Sequence, residues 1–160
     1  MESAMSSTPR CADPPWLRQD VDSLTMDGLP LAELAHRWGT PLYVYSAETL
    51  RTTVARLHAA FQGLPVRFFY AIKANANVAI LRLLRGLGLG AEVVSKGELW
   101  RALHAGFAPA EILFTGTGKK ENELRSAVEQ GVHALVVECL EELKILGDLG
   151  RPVRLALRLN

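Results

Sequence analysis

Beyond Gly63 the chain alternates short apolar runs with amphipathic stretches, and this rhythm predicts strands and helices in turn. Val66–Ala74 (VRFFYAIKA) reads as a strand and Val78–Arg85 as a Leu-rich helix. Gly90–Ser95 is the next strand, followed by a helix from Gly97 to Ala105. Glu111–Gly116 and His133–Glu138 are further strands, each leading to a helix, Glu121–Gln130 and Leu140–Leu146. Pro152–Asn160 opens as a fifth strand. Upstream, Leu31–Trp38 has helical spacing and stops at Gly39, a glycine suited to a helix C-cap. Thr40–Tyr45 is β-branched and aromatic and reads as a strand. Ser46 is a good N-cap for a helix whose Leu50, Val54, Leu57 and Phe61 make one apolar stripe.

Strands alternating with helices of moderate length, joined by short Gly-containing turns, indicate right-handed βαβ units on a parallel sheet. A (β/α)8 TIM barrel and a doubly wound sheet both satisfy that grammar. Even spacing favours the barrel, as does the gathering of polar residues at the strands' C-terminal ends: Lys73 with Asn75, Ser95, Thr115, Glu138 and Asn160. In a barrel those ends form one rim, where the chemistry sits. A full barrel takes eight units and about 250 residues. Four units and an opening strand are present, so the expectation is a partial barrel, a fragment inactive by itself.

Composition narrows the function. Lys and Arg total 18 against 17 Asp and Glu, a net charge of +1, without the basic excess of a nucleic-acid binder. Apolar runs are broken well short of the ~18 residues a membrane span needs. Met1 to Asp13 lacks an apolar signal core, so the cytosol is the expected compartment and the first residues a mobile leader. Cys11 and Cys139 are too few for a disulfide framework and read as free thiols. His36, His58, His104 and His133 are scattered over different elements without metal-ligand spacing, so no metal is expected.

Lys73 is the residue that most needs explaining. At the end of an apolar strand it should be partly desolvated, which makes an amine available for Schiff-base chemistry; the alternative is a rim lysine whose stem packs while its head reaches water. Ser95-x-x-Glu98 fits a capping box, though Ser95 could also face a ligand, and Asn75 could cap the following turn or face the site. Gly116-Thr117-Gly118-Lys119-Lys120 superficially matches a phosphate loop, but Leu113 stands where the first Gly belongs and Lys120 where Ser or Thr belongs. Gly86-x-Gly88-x-Gly90 precedes a strand, whereas a dinucleotide fingerprint follows one.

Taken together, several segments resemble the fold-type III, alanine-racemase-like, pyridoxal-phosphate-dependent decarboxylases. Tyr70-Ala71-Ile72-Lys73-Ala74-Asn75-Ala76-Asn77 is similar to that family's cofactor-lysine signature. Gly90-Ala91-Glu92-Val93-Val94-Ser95-Lys96-Gly97-Glu98-Leu99 resembles its second-strand motif, with Glu92 where Asp is usual. Ile112 to Lys119 and Gly39 to Tyr45 resemble the diaminopimelate branch, and Arg158-Leu159-Asn160 the start of an Arg-Val-Asn-Pro motif. The resemblance implies pyridoxal 5'-phosphate held by Lys73, with Glu92 as a secondary pocket residue and Asn75 and Ser95 as weaker ones. It implies an amino-acid substrate, most simply meso-diaminopimelate giving L-lysine, with arginine, ornithine or carboxynorspermidine decarboxylation, or a non-catalytic homologue, as alternatives. It also implies a homodimer with shared sites, and further parts outside this chain, among them a phosphate cradle and a carboxylate facing the pyridine nitrogen. The domains then read as a leader over 1–30, a helix and strand over 31–46 associated with a second β-domain, and a half-barrel over 47–160.

Overall fold

A computed structural model describes residues 17–19 and 23–159, which divide into two compact units meeting after residue 60. In the first unit, β1 (Leu17–Gln19), β2 (Leu24–Met26) and β3 (Leu29–Pro30) form a small antiparallel sheet in the order β1-β2-β3. The leader expected over 1–30 is therefore corrected over its described part; residues 1–16, with Cys11, lie outside the described residues. The cause is Asp27-Gly28, both with positive φ (50° and 80°), closing a two-residue hairpin in which Met26 pairs with Leu29. Asp-Gly between apolar residues is a strong short-range hairpin signal.

α1 (Leu31–Trp38) follows and ends at Gly39 as the sequence predicts, the Gly39 N–H donating to the Ala35 carbonyl. Thr40–Tyr45 is not a strand. It runs without a ladder partner among the described residues, and Tyr43 is 86% exposed. A β-branched and aromatic run needs a neighbouring strand to become one, and none pairs with it here. Ser46 begins α2 (Ala47–Ala60), its Oγ accepting from the Thr49 N–H at 2.9 Å. Asp27 reaches across to the same cap, accepting from the Ser46 hydroxyl at 2.6 Å and the Glu48 N–H at 3.2 Å.

The second unit is a five-stranded, wholly parallel sheet: β4 (Phe69–Ala71), β5 (Gly90–Val93), β6 (Ile112–Phe114), β7 (Ala134–Val137) and β8 (Leu155–Leu157). Between them run α3 (Val78–Gly86), α4 (Lys96–Ala105), α5 (Glu121–Gln130) and α6 (Leu140–Asp148). Strand order equals chain order, β4-β5-β6-β7-β8. A doubly wound sheet reverses its order at a switch point, whereas successive right-handed crossovers to the adjacent strand put every helix on one face. The ambiguity left by the sequence is thus resolved as an arc of a singly wound barrel.

Alternation along the strands sorts the two faces. Ala91, Val93, Ile112, Phe114, Leu135 and Val137 are buried together with helix residues Leu81, Leu99, Ala102, Leu124, Ala127 and Leu146. Phe114, fully buried, anchors this layer; truncating such a residue to Ala costs about 3–5 kcal/mol. The register pairs Ala71 with Glu92 and Glu92 with Leu113, so the opposite face carries Ala71, Glu92, Leu113 and Thr115. The same alternation adds Val136 of β7 and Ala156 of β8, with Glu138 and Arg158 immediately past the ends of those strands. Polar groups on that face cluster where the strands finish. No helix among the described residues is long and apolar enough to cross a membrane.

Candidate functional site

The strand that carries Lys73 is shorter than the sequence suggests. β4 closes at Ala71, and Lys73 occupies the middle of a 3-10 turn over Ile72–Ala74. Ile72, fully buried, plugs this turn into the core beneath. Lys73 itself is exposed among the described residues, where partial desolvation was expected; it lies in the turn beyond β4 and not within the strand. It makes no hydrogen bond or ion pair among the described residues, so its amine is uncommitted.

The turn is well clamped on both sides. The Tyr70 hydroxyl donates to the Asn75 carbonyl at 3.4 Å, and Arg101 of α4 donates to the Ala76 carbonyl at 3.3 Å. Asn75 turns out to serve locally, its Oδ1 accepting from the Asn77 N–H at 3.0 Å. Asn77 in turn caps α3, accepting from the Ala79 N–H at 2.9 Å. Two successive Asx contacts thus convert strand into helix just past the lysine.

On the adjacent strand, Glu92 is half-buried and accepts from the Thr115 hydroxyl at 2.5 Å. Because Ala71 is the cross-strand partner of Glu92, Lys73 lies two residues beyond that partner, at the same end of the sheet. Ser95 caps α4, its Oγ accepting from the Glu98 N–H at 3.2 Å. Glu98 differs slightly from the expected capping box: its Oε2 accepts from the Val94 N–H at 2.8 Å, one residue before the cap. At the far end, Arg158 meets Glu138 at 3.4 Å. Asn160 lies outside the described residues.

The structure therefore joins Glu92 with Thr115 and places Lys73 at the same end of the sheet, while Asn75 and Ser95 are engaged in local capping through their acceptor atoms. Sequence reasoning met Lys119 only in the rejected phosphate-loop match and did not name Glu142; the two form a buried pair on the same rim. Cys139-x-x-Glu142 repeats the spacing of Ser95-x-x-Glu98, and that repetition was the available signal. Cys139 is a free, exposed cysteine. An uncommitted primary amine at the C-terminal edge of a parallel sheet, at the same end as a carboxylate held by a hydroxyl, is equipped to condense with an aldehyde. The site's donor set fits a carbonyl-bearing cofactor.

Comparison with known proteins gives concordant results. Residues 47–160 match the model of the pyridoxal-dependent decarboxylase, pyridoxal binding domain. Diaminopimelate decarboxylase of Pseudomonas aeruginosa is 40% identical over 141 residues, covering 86% of this chain and 34% of that protein. A crystal structure of AQ1208 from Aquifex aeolicus aligns with a TM-score of 0.84 at 40% identity, over 91% of this chain and 37% of that one. Diaminopimelate decarboxylase from M. jannaschii, crystallised with L-lysine, aligns with a TM-score of 0.83 at 35% identity, over 90% of this chain and 36% of that one. The chain spans about a third of the length of the curated relatives it matches.

Proposed function

The chain belongs to the pyridoxal-dependent decarboxylases, and on that premise we propose that the full-length protein removes one carboxyl group from meso-diaminopimelate, releasing carbon dioxide and L-lysine. The observation that carries the reading is the uncommitted Lys73 amine at the sheet's C-terminal edge, inside the matched segment. Lys73 holds the cofactor covalently. Glu92, on the inner face of the adjacent strand, lines its pocket. Asn75 and Ser95 flank the same edge; backbone N–H groups occupy their side-chain oxygens, which leaves the Asn75 amide protons and the Ser95 hydroxyl proton for a ligand.

Pyridoxal phosphate supplies an electron sink for the pair of electrons left on carbon when the carboxyl departs. This chain's residues hold and orient. The clamped 3-10 turn fixes the height of Lys73, and the Thr115 hydroxyl fixes the Glu92 carboxylate. Holding reacting groups in register in this way lowers the entropic cost of the reaction. The substrate assignment is supported by the identity to diaminopimelate decarboxylases and by the M. jannaschii relative's complex with L-lysine. A cytosolic homodimer completes the reading.

The test is turnover by the full-length protein with added pyridoxal phosphate. Equimolar L-lysine and carbon dioxide from meso-diaminopimelate are expected. Turnover of ornithine or arginine in its place would overturn the substrate assignment, and no release of carbon dioxide from any of the three would overturn the activity.

A further inference from the structure

Lys119 and Glu142 form an ion pair in which both side chains are buried, 0% and 3% exposed, with Nζ 3.0 Å from Oε2. Burying two charges is costly, and an apolar pair of similar volume commonly holds a fold at least as well. Such a pair calls for a role beyond stability. Its hydrogen bonds indicate which one.

Lys119 Nζ donates to the Gly116 carbonyl at 2.6 Å, gripping the chain just after Thr115. Gly116 has φ +100°, and a Cβ there would lie 3.1 Å from the Val94 Cβ, so this turn sits tightly over the end of β5. Glu142 accepts from the Lys119 N–H at 3.3 Å and from the Glu138 N–H at 3.1 Å. One carboxylate thus ties the loop after β6 to the residue that follows β7. Glu123 makes a parallel tie, accepting from the N–H groups of Lys96 and Lys120, each at 3.1 Å. The two backbone positions fixed by the buried pair lie beside Thr115, which holds Glu92, and at Glu138, which meets Arg158.

We propose that Lys119 and Glu142 are positioning residues for the cofactor site: their buried pair sets the height of the rim loops, and with it the placement of the Thr115–Glu92 contact relative to Lys73. This rests on the functional reading above. Neither residue touches the reacting atoms; the effect is transmitted through the Gly116 carbonyl and the Glu138 N–H.

The test compares the full-length holoenzyme with a Lys119→Met/Glu142→Leu double variant, which removes both charges and so leaves no buried charge unpaired. Turnover is expressed per Lys73 labelled by borohydride reduction in the presence of pyridoxal phosphate. The double variant leaves the Lys119 and Glu138 N–H groups and the Gly116 carbonyl without these partners, so a lower melting temperature is expected whatever the role of the pair; the proposal predicts in addition a KM near wild type and turnover per labelled site reduced about tenfold or more. A purely structural role would move the melting temperature and the yield of labelled sites, leaving turnover per site unchanged; that result overturns the proposal. If the double variant does not fold, Glu142→Asp, shorter by one methylene, is read by the same ratio. It is expected below about half of wild type, and parity overturns the proposal. Wild type without label at Lys73 would sink the functional reading itself; labelled wild type with unaffected variants sinks only the positioning role.

Discussion

Gly90→Ala probes how closely the two strands that carry Lys73 and Glu92 are set together. Gly90 opens β5 opposite Phe69 of β4, and an added Cβ would lie 2.6 Å from Phe69 Cδ1 and 2.7 Å from the Glu111 carbonyl oxygen. Comfortable carbon contacts are about 3.5–4.0 Å, so the methyl group intrudes by roughly 1 Å on two sides at once. The Phe69 ring is half-buried and can turn aside. The Glu111 oxygen cannot, because it belongs to the 3-10 turn over Pro109–Glu111 that feeds β6. Overpacking of this kind costs about 1–3 kcal/mol, while Ala in place of Gly returns about 0.4–1 kcal/mol through the unfolded chain. The net is a loss of about 1–2 kcal/mol, a fall of about 5–15 °C in the melting midpoint for a unit this size. Thermal unfolding followed by circular dichroism reads it, with Gly86→Ala as control, since nothing lies within 4 Å of a Cβ there. A Gly90→Ala chain that melts with the control would refute the claimed tightness of the β4–β5 seam.

Three further outcomes are expected. Thr115→Val removes the hydroxyl that donates to Glu92 and should lower stability by about 1 kcal/mol in a urea titration; no change would mean that water replaces the hydroxyl without loss. Ser95→Ala deletes the cap of α4 and should cost about 1 kcal/mol, read as a lower melting midpoint. His133 is held below its ordinary pKa of 6.5, first by burial and then by the neighbouring Arg154 and Arg67 guanidinium groups. The folded state therefore binds fewer protons than the unfolded one just below pH 6.5, so this group destabilises the fold as pH falls from 6.5 through its depressed pKa. His133→Gln should flatten that part of the stability profile, and an unchanged slope would rule His133 out as its source.

Much of this was legible in the sequence because apolar period and turn chemistry agree over residues 63–160. The α5 bounds coincide with the predicted Glu121–Gln130, since Gly131 at φ +70° stops the helix where its residue type says it should. Strand ends were less legible: Val66–Ala74 is apolar apart from Arg67 and Lys73, yet the ladder spans only Phe69–Ala71, because neighbouring strands and not composition decide where pairing stops. Thr40–Tyr45 illustrates the same point, a strand-like segment without a partner. Lys73 is singled out by its motif and not by its environment, which is more open among the described residues than an apolar strand implies. The Lys119–Glu142 pair was hidden because its members are 23 residues apart and meet only when β6 and β7 lie side by side.

The most direct measurement is the site of covalent attachment. Saturating the full-length protein with pyridoxal phosphate, reducing with borohydride and digesting it should put the added mass on the peptide containing Lys73, and Lys73→Ala should abolish it. Added mass on Lys96, Lys119, Lys120 or Lys144, or a Lys73→Ala protein that still retains the group covalently, would contradict the assignment on which the functional reading stands.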